Sequence, residues 1–103
     1  MKKVMFEIRV LDKHGKYNDT ETVTGYHLDN PVLPEFPLVV YKYKDVWTAG
    51  DYKSGQRICA CPNCNNTRLS IIESVCYRLR EYIKVRGEDK VRKTFSQAKR
   101  INT

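Results

Sequence analysis

The chain has 103 residues, 41% hydrophobic and 30% charged, with a formal net charge of +7. That length holds one small domain with an economical core, and the composition is globular. No apolar run approaches the ~20 residues of a membrane span, and MKKVMFEIRVL is too polar for a signal peptide. Collagen, coiled coil, membrane protein and tandem repeat are thereby excluded, and a cytoplasmic setting is expected.

Val4, Phe6, Ile8 and Val10 alternate with Met5, Glu7, Arg9 and Leu11, the period of a strand with one buried face. Gly15 supplies the connection, and Thr20 to Leu28 returns as the second strand of a hairpin. Pro31, Pro34 and Pro37 remove backbone donors, so 30–37 is a loop or an edge. Leu38 to Tyr43 forms the next strand, Lys44-Asp45 a turn, and Val46 to Ala49 a fourth strand. Asp51 to Gly55 turns again, and Gln56 to Cys61 makes a short fifth strand.

Asn66 or Thr67 can cap a helix in which Leu69, Ile72, Cys76, Leu79 and Ile83 recur at spacings of three and four. Val75 and Tyr82 widen this stripe, and Gly87 is the stop signal. Val91, Phe95, Ala98 and Ile101 allow either a short second helix or a basic tail over 88–103. The expected architecture is therefore α+β. A five-stranded antiparallel meander carries one long C-terminal helix on one face, with 1–87 as the domain and 88–103 as a basic segment.

The charge is lopsided. Residues 1–57 carry nine basic and eight acidic side chains, whereas 58–103 carry ten and four. Arg78, Arg80, Lys84, Arg86, Lys90, Arg92, Lys93, Lys99 and Arg100 can form one positive field on the helix and its extension. Such a field attracts nucleic acid or an acidic protein surface, and it can equally be a solvated helix face. Tyr41, Tyr43, Trp47 and Tyr52, interleaved with Lys42, Lys44 and Lys53, fit a base-stacking platform or ordinary sheet packing. Alternation places Tyr41 and Tyr43 with Val39, which favours packing.

Four cysteines lie between 59 and 76. Cys61 and Cys64 have the spacing of a zinc pair, and Cys59 can join them. Cys76 sits in the helix stripe, where a cysteine acts as a small core residue. If Ile58 faces the helix, Cys59 and Cys61 face away from it, and zinc would need an outside ligand such as His27. Core or incidental cysteines without a cofactor are the leading expectation, and structural zinc the alternative. A disulfide is disfavoured without an export signal, and a thioredoxin-type role lacks the parallel βαβ units it needs. No phosphate loop, nucleophile elbow or carboxylate pair is present, so no enzyme is expected.

Gly25-Tyr26, Leu38-Val39-Val40-Tyr41-Lys42, Trp47, Tyr52-Lys53-Ser54-Gly55, Ile58, Asn66-Thr67-Arg68 and Ile72 mark out the middle of the chain. Over about 25–80 it resembles small accessory proteins of phages and mobile elements of Gram-positive bacteria. The cysteine run 59–64 departs from their pattern. The resemblance implies a stoichiometric inhibitor of host machinery, including RNA-guided (anti-CRISPR-like) targets, and transfers no catalytic residue. The partner expected is a host protein or ribonucleoprotein, contacted through the basic residues together with Trp47 or Tyr52. The alternative is a nucleic-acid-binding module with structural zinc.

Overall fold

The computed structural model describes residues 2–29, 31–61 and 67–102. Strands β1 (Lys3–Val10), β2 (Asp19–Leu28), β3 (Leu38–Tyr43), β4 (Val46–Asp51) and β5 (Arg57–Ala60) precede helices α1 (Arg68–Arg86) and α2 (Glu88–Gln97). The strands form an open antiparallel meander in sequential order, as expected from the spacing of turn signals. Lys44 and Asp45 both take positive φ, the geometry of a two-residue turn that matches strand twist. Thr67 caps α1 by accepting from the Ser70 N–H, and Gly87, at φ 89°, ends it. Of the two alternatives for 88–103, a helix forms over Glu88–Gln97.

Leu38, Val39, Val40 and Tyr41 are all buried, so both faces of β3 are covered. On one face Leu28, Leu38, Val40 and Ala49 meet Ile71, Val75 and Leu79 of α1 and Val91 and Phe95 of α2. Leu33, from the proline loop, is fully buried in the same cluster, and Phe36 meets Phe95 edge-on at 5.2 Å. The helix stripe is thus centred on Ile71, Val75 and Leu79. Leu69, expected in it, is 66% exposed, because it falls about a third of a turn outside the face that meets the sheet.

The other face is closed by the sheet's own curl. β2 pairs with β1 from Asp19 to Tyr26 but with β3 only from Gly25 to Leu28, so the first hairpin projects past β3. At the corner, a Cβ on Gly25 would lie 2.3 Å from Val40 O, so only glycine permits this approach. The hairpin folds back to bring Phe6 and Ile8 onto Val39 and Tyr41, with Phe6 and Tyr41 edge-on at 5.5 Å. The outer edge of β1 then reaches the β4–β5 turn, where Arg9 N–H donates to Gly55 O at 2.9 Å. Gly55 has φ +70°, and a Cβ there would lie 2.7 Å from Glu7 O.

That turn also gathers the C-terminus. Asp51 Oδ2 accepts from both the N–H and the hydroxyl of Ser54, all in buried surroundings. Lys53 Nζ donates to Phe95 O and Ser96 O, placing a cation on the end of α2. Lys53 O accepts from the N–H groups of Ile101 and Asn102.

Candidate binding surfaces

The basic residues singled out from sequence are spread over several stripes of α1 and α2 and the residues that follow. Leu69, Glu73, Tyr77, Arg80 and Lys84, at spacings of four, four, three and four, share the outward stripe of α1, and all are exposed. Arg78 lies on the flank near Cys59, whose thiol feels its charge. Arg86 stacks over the Tyr82 ring at 5.2 Å. On α2, Lys90 and Lys93 are exposed, whereas Arg92 pairs with Glu35 of the proline loop and with Glu88. Beyond it Lys99 is exposed, and Arg100 Nη1 donates to Asn102 O at 3.0 Å. Arg92 and Arg100 are therefore engaged within the chain.

The aromatic residues are also divided. Trp47 packs at the edge of the helix-side cluster, and Tyr52 at the edge of the opposite one. Tyr52 lies 5.0 Å from the His27 ring and 6.2 Å from Phe6. They belong to different surfaces.

The cysteine geometry departs from simple alternation. Ala49 pairs with Cys59 but Gly50 with Arg57, so Ile58 is the extra residue of a β-bulge. The bulge lets Ile58, Cys59 and Cys61 all pack on the helix side, which corrects the expectation that the two thiols face away from it. His27 pairs with Val39 and lies against Tyr52 on the other face, so the sheet separates it from these thiols. Among the described residues no three of His, Cys, Asp and Glu come together to hold a metal ion, and Cys64 lies outside those residues. Burial, followed by the neighbouring Cys61, pushes the Cys59 thiol up to about 12. Burial raises that of Cys76 too. Both environments favour the neutral thiol rather than the thiolate that binds metal or attacks substrate.

A second surface was not legible in the sequence. Where the curled hairpin leaves the sheet uncovered, a groove of about 490 Å³ opens over Ile8, Val10, Tyr41, Tyr43 and Val46. Arg9, Lys44 and Arg57 stand around it, and Tyr17 from the β1–β2 loop joins them. The described lining contains no Asp or Glu. Arg9 is held by its own Nε, which donates to Ser54 O at 3.0 Å. Lys44 Nζ lies 5.5 Å from the centre of the Tyr43 ring. Burial raises the Tyr41 phenol to about 12, partly offset by Arg57 nearby. Asp12 shapes the loop carrying Tyr17, accepting from His14 N–H, Lys16 N–H and Asn18 Nδ2. These hydrogen bonds, the one from Lys16 foremost, hold its carboxyl below the usual range.

The groove cations come from β1, the β3–β4 turn and β5, and all three lie in the half whose charges nearly cancel. Only the alternation that put Tyr41 and Tyr43 together hinted at this surface. No helix among the described residues is long and apolar enough to cross a membrane. No family model matches the chain, and no similar curated protein or solved structure is found.

Proposed function

We propose that the chain is a non-enzymatic accessory protein that binds and inhibits a host defence complex through the outward face of α1. The observation that carries this reading is the composition of that face. Leu69 and Tyr77 are large and exposed there, and they share the face with Glu73, Arg80 and Lys84. Aromatic and arginine anchors among apolar neighbours are the make-up of protein interfaces, whereas a surface serving phosphates alone needs only cations. The resemblance to mobile-element accessory proteins supplies the class of partner, a protein or ribonucleoprotein.

Capture from a Gram-positive lysate, with and without nuclease, tests it. The expected result is a nuclease-resistant component of a defence complex, retained by the parent protein and lost with Tyr77→Ala or with Arg80→Glu plus Lys84→Glu. Capture abolished by nuclease, with free duplex bound tightly at physiological salt, would replace this reading with the nucleic-acid-binding one.

A further inference from the structure

We infer that the groove between β1, the β3–β4 turn and β5 is a binding site for single-stranded nucleic acid, one or two nucleotides at a time. Its volume of about 490 Å³ lies in the range of small-ligand sites, roughly 300–1,000 Å³, which suits one or two nucleotides. Its chemistry is paired. The Tyr43 ring is half-buried and that of Tyr17 is exposed, beside Arg9, Lys44 and Arg57. A nucleotide offers one planar base and one phosphate, so it satisfies a ring and a cation together. An acidic peptide satisfies only the cations. A neutral apolar ligand makes no use of the three cations, and among the described residues no carboxylate lines the groove.

The site is also prepared in advance. Arg9 is tethered to Ser54 O, so its guanidinium stands at the rim before any ligand arrives. Lys44 is set by a tight turn with positive φ at both central residues. Beneath them Tyr41, buried against Phe6, forms a firm floor. The groove is on the sheet face opposite the helices, so a partner on α1 leaves it open.

Fluorescence anisotropy with a labelled eight-nucleotide oligouridylate, its single-stranded DNA counterpart and a hairpin duplex tests the site. Both single strands should bind at low salt at least ten-fold more tightly than the duplex. With two or three phosphates engaged, the log–log salt slope should be roughly −1.4 to −2.1, at about 0.7 per phosphate. Lys44→Gln with Arg57→Gln should flatten that slope by about 1.4. Tyr17→Ala should weaken binding about five-fold or more and leave the slope unchanged. Arg80→Gln with Lys84→Gln on α1 should change neither, which separates this site from the partner surface. Independently of any substitution, a 4-thiouridine oligomer should photocrosslink at Tyr17 or Tyr43. Unchanged affinity in the folded groove variants, equal duplex binding, or crosslinks confined to α1 and α2 would each overturn the assignment.

Discussion

Asn102 pairs with Glu7 as a neighbouring strand would. Its Oδ1 accepts from the Glu7 N–H at 2.9 Å, and its Nδ2 donates to Glu7 O at 2.8 Å. The same Nδ2 donates to Tyr52 O at 2.8 Å. One amide side chain thus satisfies backbone groups on the open edge of β1 and links that edge to the β4–β5 turn. An unpaired strand edge is a template for another chain, and this contact covers its middle.

Asn102→Asp should therefore be more harmful than a surface change. The carboxylate still accepts from Glu7 N–H but faces the carbonyls of Glu7 and Tyr52 without a proton to donate. A loss of about 1–3 kcal/mol is expected, read as a lower urea midpoint. Asn102→Ala should fall in the same range, and a variant as stable as the parent would show that the edge is held elsewhere.

Leu79 and Leu69 make a paired test of the helix register. Leu79 is 1% exposed at the helix–sheet contact, so Leu79→Ala should cost about 2–5 kcal/mol. Leu79→Asp buries an unpaired carboxylate and should unfold a domain this small. Leu69→Asp should melt within a few degrees of the parent. Circular dichroism melts of the variants decide the register.

Alkaline pH should destabilise the fold through Cys59 and Tyr41 above all, with Cys76 raised in the same direction. Cys59 and Tyr41 are each pushed up to about 12, from ordinary values of 9.0 and 10.0, mainly by burial. The unfolded chain loses these protons first, so stability is full below about pH 9 and falls as pH rises towards 12. Thermal midpoints from pH 7 to 11 should show this decline. Cys59→Ala should reduce the part that begins near pH 9 and leave the parts due to Cys76 and Tyr41.

The Arg92–Glu35 pair should matter little to stability. Both side chains are about 40% exposed, and exposed ion pairs contribute about 0–1 kcal/mol. A double-mutant cycle with Arg92→Gln and Glu35→Gln should give a coupling below about 1 kcal/mol that shrinks with salt. A larger value would mean that the proline loop depends on this contact for its place over α2.

What the sequence by itself determined were the features written in local periodicity. Val4, Phe6, Ile8 and Val10 specify a half-buried strand, the Lys44-Asp45 pair a tight turn, and Ile72 through Ile83 a helix ended by Gly87. Each depends on residues within a few positions, and the neighbours agree. Tertiary structure decided the rest. A bulge at Ile58 breaks the alternation that would have turned Cys59 and Cys61 away from the helix. The fold of the first hairpin at Gly25 brings Arg9 and Arg57 to one groove from positions 48 apart. It also brings Asn102 to Glu7 from 95 residues away. The helix stripe is wide enough that only contact with Leu38, Val40 and Ala49 selects Ile71, Val75 and Leu79 and leaves Leu69 outside. Such contacts are set by how far a sheet curls and where a helix seats on it, and linear spacing carries neither quantity.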